Sequence, residues 1–382
     1  MPLFPSLLDF ERPLAGRRIF VTGHTGFTGG WACLWLKSIG AEVAGLALRP
    51  ATNPALYDAL GLSEGMQSVM GDICDAGLVA KTMGDFQPEI VLHLAAQPLV
   101  RRSYREPVAT FLVNAIGTAH VLEAARLTPS VKAAVCITTD KVYKNNEESK
   151  SFRESDPLGG KDPYSASKAA AEMVIDSYAA SFGKTDGSGL AIATARGGNI
   201  IGGGDWSEDR LIPDYVRAVI NDGKLTLRYP QATRPWQHVL ALVQGYIMLM
   251  AGLLQAPERH ARAWNLGPLD PQAYSVRQVL EIIGQIWKAP KLEFMENPLA
   301  EAQTLALDSS LAREVLGWNP AWDTRRMIAE TAAWYKGYYK DPKSTHDLTL
   351  GQIETWRAGL MQGVPAPAGI ADPIAEGVRK IG

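Results

Sequence analysis

The sequence predicts an α/β protein built on a doubly wound parallel sheet, and three observations predict it. From Arg18 to Ala195, short β-rich runs alternate with longer helical segments, the pattern of parallel strands joined by crossover helices. A glycine turn, Gly23-His24-Thr25-Gly26-Phe27-Thr28-Gly29, follows the first apolar run and opens a helix. After Ala195 the alternation gives way to loops marked by Gly197-Gly198 and Gly202-Gly203-Gly204, which argues for a second, smaller and partly discontinuous α/β part covering the first.

The expected strands are Ile19-Phe20-Val21, Val43 to Leu48, Ser68 to Met70, Ile90 to Leu94 and Ala134 to Thr138. Pro107 to Arg126 and Pro163 to Phe182 each open with proline in the first turn and read as long amphipathic helices. Two such neighbouring helices commonly form a dimer surface, so a homodimer is expected, with a tetramer as the alternative. The segment around Pro365-Ala366-Pro367 reads as part of a surface appendage after the helix that holds Trp334.

The chain has 382 residues, 46% of them apolar, and a formal charge of -2. That length is enough for a large core or for two domains sharing an interface. The balance of charge gives no footprint for nucleic acid or an anionic membrane. Residues 1–13 lack an uninterrupted apolar stretch, and no later stretch is expected to span a bilayer, so the expected location is cytoplasmic. Cys33, Cys74 and Cys136 are widely spaced and fall in expected helix, loop and strand, which argues for reduced core residues rather than a disulfide framework or a zinc cluster. The six histidines, among them His24, His93 and His238, show no paired ligand spacing, and no metal is expected.

The glycine turn is the first motif that carries chemistry. Small residues let the backbone approach a pyrophosphate, and the helix that follows offers free N–H groups and a partial positive charge. Its position after the first strand favours a dinucleotide over a plain tight turn. The acidic residue that usually holds a ribose hydroxyl about 20 residues further on is missing. Arg49 stands there instead, suited to a 2′-phosphate, to stacking on adenine, or simply to water. Asp72 after the next strand either contacts the adenine or caps a helix.

Tyr164 and Lys168 lie four apart, hence on one helix face, where an ammonium would lower the tyrosine pKa so that it can accept an alcohol proton. Thr138-Thr139-Asp140-Lys141 ends the fifth strand, at the edge of the sheet where ligands bind in open α/β folds. A threonine there can hydrogen-bond a substrate oxygen, a protonated carboxyl can donate to a leaving hydroxyl, and a neutral amine can take a carbon-bound proton. Burial would have to raise the pKa of Asp140 and depress that of Lys141. The competing reading is an ion pair in a turn. Further on, Asn199, Asp205, Trp206, Arg210, Arg234, Trp236, Gln237 and His238 group polar and aromatic residues in loops. Arg210 and Arg234 suit a pyrophosphate and Trp206 or Trp236 a base or sugar ring, with structural ion pairs and core tryptophans as the alternative.

Taken together, these stretches closely resemble the extended short-chain dehydrogenase/reductases, and within them the CDP-glucose 4,6-dehydratases. The likeness runs from about Arg17 to Tyr339 and is carried by the glycine turn, His93-Leu94-Ala95-Ala96-Gln97-Pro98-Leu99-Val100-Arg101, Asp140-Lys141-Val142-Tyr143, Asp162-Pro163-Tyr164-Ser165, Gly202-Gly203-Gly204-Asp205-Trp206 and Arg234-Pro235-Trp236-Gln237-His238. The resemblance implies a Rossmann-type domain of residues 1–195 plus about 234–262, a nucleotide-sugar part of about 196–233 plus 263–343, and an appendage at 344–382. It implies NAD rather than NADP, held by Gly23, Thr25, Gly26, Phe27, Gly29, Arg49, Asp72, Ile73, Leu94, Ala95, Ala96, Tyr164 and Lys168. It implies CDP-glucose or a related nucleotide-sugar, held by Gln97, Asn199, Asp205, Trp206, Arg210, Arg234, Gln237 and His238. In the implied chemistry Tyr164 and Thr139 oxidise C4, Lys141 takes the C5 proton, Asp140 protonates the departing C6 hydroxyl, and hydride returns to C6. Val142 departs from the cysteine common after Asp-Lys, and Ala300 to Asp308 lacks a histidine and a lysine often found there.

A 4-epimerase would need Tyr164 and Lys168 but no further acid-base pair, so Asp140-Lys141 argues against it. A silent nicotinamide-binding regulator would be expected to have lost at least one of Thr139, Asp140, Lys141, Tyr164 and Lys168, and all five are present. No Gly-x-x-x-x-Gly-Lys-[Ser/Thr] run occurs, which excludes a P-loop enzyme.

Overall fold

A computed structural model describes residues 3–4, 6–145, 151–184, 186, 189–227, 229–268, 274–294 and 305–362. Seven parallel strands form one sheet in the spatial order Ala263–Asn265, Ala191–Arg196, Ala133–Ile137, Ile90–His93, Arg18–Thr22, Glu42–Ala47, Gln67–Met70. The order reverses between Arg18–Thr22 and Ile90–His93, and that switch point opens a crevice at the carboxyl ends of the strands. The expected strands are all present, displaced by one residue at some ends.

Alternation along the strands builds a core on each face of the sheet. Ile19, Val21, Ile90, Leu92, Val135 and Ala193 enter one apolar cluster, while Phe20, Val91, Ala134, Cys136 and Ile192 enter the other. Cys33 and Cys136 are buried as expected, whereas Cys74 is only half-buried; all three are free thiols.

The helix Pro163–Phe182 occupies its expected span because Asp162 caps it, accepting from the N–H groups of Tyr164 and Ser165 while the Ser165 hydroxyl reaches back to the Asp162 N–H. Pro107–Leu127 contains a π turn at Leu112–Ile116. Against the sequence expectation, this 21-residue segment is long and apolar enough to cross a bilayer. Half of it is buried inside the molecule, and Val121, Leu122, Ala124 and Ala125 pack into the second apolar cluster.

Two expected boundaries move. Ala263–Asn265 pairs with Ala191–Arg196 in the main sheet, so the break expected at 262 falls one strand early. The segment expected to be an appendage from 344 instead forms a helix at Thr345–Met361, with Trp356 fully buried. The Pro365 segment lies outside the described residues. Arg357 on this helix donates to both Glu11 carboxylate oxygens at 2.8 and 2.7 Å, and Trp35 Nε1 donates to Glu11 at 2.8 Å. The segment before the first strand and the helix Thr345–Met361 are therefore clasped by a buried ion pair. Removing one partner leaves a buried charge uncompensated, so Arg357→Ala is expected to lower stability to urea by about 3–5 kcal/mol. A loss within about 0.5 kcal/mol, the usual surface value, would mean that the clasp carries little of the fold.

Candidate active site

The glycine turn sits at the switch point, and its close contacts explain two of its glycines. Gly23 has φ +76°, and a Cβ there would lie 2.8 Å from Ala95 N; a Cβ on Gly29 would lie 2.2 Å from the Gly23 carbonyl oxygen. No side chain caps the helix Phe27–Ser38, which begins just after Gly26, so its first N–H groups stay available to an anion. Thr25 Oγ1 donates to the Leu48 carbonyl at 2.8 Å, tying the turn to the second strand, and Phe27 is half-buried beside it. Leu94, Ala95 and Ala96 are half-buried on the opposite wall, where the N–H groups of Leu94 and Ala95 both donate to Thr22 Oγ1 at 3.2 Å. Arg49 is exposed at the rim and Ile73 is buried below it. Asp72 Oδ1 accepts from Cys74 N at 2.9 Å, closing the turn after the third strand. An anion-ready helix end against a wall of small residues fits a dinucleotide.

Next to this crevice the strand Ala133–Ile137 ends in Thr138-Thr139-Asp140. Thr139 Oγ1 donates to Asp140 Oδ1 at 2.9 Å and Asn199 Nδ2 donates to Asp140 Oδ2 at 3.3 Å. Gly198 packs flat on this carboxyl, since a Cβ there would lie 2.3 Å from it. Burial pushes the Asp140 pKa up, against the pull of Lys141 and Thr139, which is the direction a proton donor needs. Lys141 is exposed, so the burial expected for it is absent.

Tyr164 is buried, and burial raises its pKa to about 12, opposed chiefly by Thr139 and also by the Arg210 charge. The expected lowering of the phenol by Lys168 is therefore not found. Desolvation dominates instead, and Lys168 Nζ is turned to the Ile137 carbonyl at 2.9 Å. Lys168 itself is pushed down to about 8 by burial, with Glu172 pulling back.

Several expected substrate contacts are used internally instead. Gln97 is buried, with its Nε2 donating to Thr110 Oγ1 at 2.9 Å and its Oε1 accepting from Leu99 N at 2.6 Å, so it shapes its own loop. The Asp205 carboxylate holds Arg210 at 2.8 Å and Ser207 N at 3.0 Å, and its carbonyl accepts from the Tyr335 hydroxyl. Trp206 lies in an aromatic cluster with Trp334, Tyr335 and Tyr338 rather than facing the cleft. Gln237 is buried and donates to the carbonyls of Gly198 and Leu266, while His238 is buried between Trp31, Trp322 and Trp356 and caps the helix Val239–Gln255. Trp236 is buried, with its Nε1 donating to the Tyr274 carbonyl at 3.0 Å. Arg210 is half-buried within electrostatic reach of Tyr164, and Arg234 is half-buried on the short strand paired with Tyr274–Ser275.

His93, which opens one of the motifs of the sequence reading, bridges Thr22 and Thr118, at 2.7 and 2.9 Å, beneath the two crevice loops. Other site residues were not singled out by the sequence reading. Asn114, in the π turn, accepts from Gln97 N and donates to Ser167 Oγ at 2.9 Å, tying the crevice loop to the Tyr164 helix. Glu172 and Arg196 form a buried ion pair behind Thr138. A buried Asn in an apolar helix, and a Glu one turn after Lys168, were the available signals.

Comparison with known proteins places this arrangement. Residues 20–331 match the family model described as GDP-mannose 4,6 dehydratase. The chain is 42% identical over 330 residues to a CDP-glucose 4,6-dehydratase of Salmonella typhimurium, covering 85% of this chain and 92% of that one. It is 28% identical over 325 residues to a UDP-glucose 4-epimerase of Mycolicibacterium smegmatis, covering 84% and 98%. Among solved structures, the dTDP-glucose 4,6-dehydratase DesIV of Streptomyces venezuelae, crystallised with NAD, superposes with a TM-score of 0.70 at 26% identity, covering 87% of this chain and 99% of that one.

Proposed function

The chain belongs to the GDP-mannose 4,6 dehydratase family of NAD-dependent epimerases and dehydratases, and on that premise we propose that it is a CDP-glucose 4,6-dehydratase. The observation that carries the reading is a buried acid, Asp140, joined to Thr139 and Asn199 at the strand end beside Tyr164. An epimerase has no use for an acid aimed at a leaving hydroxyl. The 42% identity to the Salmonella dehydratase supports the same choice.

The cofactor is NAD, which when bound would supply the hydride acceptor for C4 and the hydride donor for C6. Gly23, Gly26 and Gly29 would hold its pyrophosphate against the helix end, with Thr25 and Phe27 lining that turn and Ile73, Leu94, Ala95 and Ala96 forming the walls of the crevice. Arg49 and Asp72 would lie towards its adenosine end. Tyr164 takes the O4 proton in its phenolate form, which burial makes the minor form in the free chain, with Thr139 hydrogen-bonded to the same oxygen and Lys168 supplying positive charge from one turn along. The 4-keto group acidifies C5–H, Lys141 removes that proton, and Asp140 donates its own to the C6 oxygen as the C–O bond breaks. Return of hydride to C6 is matched by return of the proton from Lys141 to C5. The products are CDP-4-keto-6-deoxyglucose and water, with no net redox change. Asn199, Arg210 and Arg234 remain the candidates for holding the nucleotide-sugar. Substrate binding would draw water away from Lys141, which the free chain leaves exposed.

Val108, Leu112, Ile116 and Met173 are exposed on the two long helices, and Tyr104 is exposed on the short helix Val100–Arg105 before them. A second copy of the chain would cover them, so the working form is a homodimer.

Incubation with CDP-glucose, and in parallel with dTDP-, GDP- and UDP-glucose, tests the assignment. The expected result is loss of one water by mass from CDP-glucose alone. An unchanged mass with inverted configuration at C4 would make the protein an epimerase.

A further inference from the structure

We propose that Glu172, one turn beyond Lys168 on the same helix, is a positioning residue of this active site: it anchors Thr138, and so the strand end bearing Thr139 and Asp140, and it supplies the negative charge that keeps Lys168 an ammonium. The inference deepens the dehydratase reading and rests on it for the roles of those neighbours.

Glu172 is fully buried, and its carboxylate is shared three ways. Thr138 Oγ1 donates to Oε1 at 2.5 Å, Arg196 Nε donates to Oε1 at 2.9 Å, and an Arg196 terminal nitrogen donates to Oε2 at 2.9 Å. Lys168 Nζ meanwhile donates to the carbonyl of Ile137, the residue before Thr138. Two successive turns of one helix therefore grip two successive residues of the strand end, one by a cation and one by an anion. The grip continues behind Arg196, which donates to Tyr143 Oη at 2.9 Å, while Tyr143 donates to Asn265 Oδ1 at 2.6 Å. A carboxylate this deep is costly unless paired and hydrogen-bonded, and here every contact is met.

The charge argument follows from what else faces Lys168. From the fifth strand comes the Cys136 thiol, raised to about 12 by burial; from the fourth comes His93, lowered to about 3 by burial. Both are neutral near pH 7, as is the Tyr164 phenol in the free chain, and Arg196 is ion-paired with Glu172. Asp140 is on the same strand end with its pKa raised, and Asp176 is one turn further along the helix, also raised. Glu172 is thus the anion that opposes the desolvation of the Lys168 ammonium.

The test is the ionisation of Lys168 itself, followed by NMR on protein labelled with carbon-13 at the lysine ε positions and assigned with Lys168→Arg. Glu172→Gln keeps shape and removes charge, and it should lower the Lys168 midpoint by about one unit, a tenfold loss of ammonium at a fixed pH above it. Glu172→Asp keeps charge and changes shape, and it should hold the midpoint. Because Glu172→Gln leaves Arg196 buried without its partner, the double variant Glu172→Gln with Arg196→Gln carries the test should the single one not fold. It too should lower the midpoint. Turnover should fall about tenfold in kcat with KM unchanged in the variants that lose the charge. An unmoved midpoint in folded Glu172→Gln or in the double variant overturns the proposal. The midpoint is read without substrate, so an inactive wild type would count against the dehydratase assignment and not against Glu172.

Discussion

Replacing Tyr164 by phenylalanine is expected to lower turnover of CDP-glucose by about 10²–10⁴-fold, the span a positioned general base contributes. In the proposed mechanism the Tyr164 phenolate takes the O4 proton, and without it the 4-keto sugar does not form. Nothing downstream can then start. In deuterated water the recovered sugar should carry no deuterium at C5, because an ordinary C5–H exchanges only once the neighbouring carbon is a ketone. Cofactor binding should survive, since the glycine turn and the helix end at Phe27 are untouched. Turnover within about tenfold of wild type would assign the O4 proton to another group.

Asp140→Asn is expected to stop the reaction one step later, again by about 10²–10⁴-fold, because a carboxamide has no acidic proton to give to the C6 oxygen. Shape is nearly conserved: the amide oxygen can still accept from Thr139, and Asn199 need only turn its own amide to meet the new N–H₂. Oxidation at C4 remains possible, so recovered substrate should now gain deuterium at C5 without losing water. Lys141→Ala, an exposed change with little effect on the fold, should lose both product and C5 exchange. The proposed role needs Asp140 protonated. Because burial raises that pKa, activity should persist to higher pH than an exposed carboxylic acid would allow, and should fall as pH rises through the raised value. Water loss at the wild-type rate in Asp140→Asn would remove Asp140 from the acid role.

These three substitutions rest on motifs whose meaning is local, and local meaning is what a sequence displays. A glycine triplet after an apolar strand, a threonine-aspartate-lysine run where a strand ends, and a tyrosine four residues from a lysine each specify backbone shape or shared face over a few residues. The alternation of strand and helix likewise set the parallel sheet and the crevice at its switch point. The π turn that aims Asn114 was not visible, because one extra residue in a helical turn leaves the apolar spacing almost unchanged.

What the sequence determined by itself was the doubly wound sheet, the dinucleotide crevice and an aspartate and a lysine where one strand ends. Tertiary structure alone decided which loop residues face the cleft. Asp205, Trp206, Gln237 and His238 read as ligand contacts because polar and aromatic side chains in a loop look the same in sequence whether they point to a substrate or to the core. Packing turned them inward, against Tyr335, Trp334, Gly198 and Trp356. It also made the two buried ion pairs, Glu172 with Arg196 and Glu11 with Arg357, whose partners stand 24 and 346 residues apart. Charge pairing across such distances leaves no mark in a linear pattern; only the folded chain, by excluding water, determines which charges must meet.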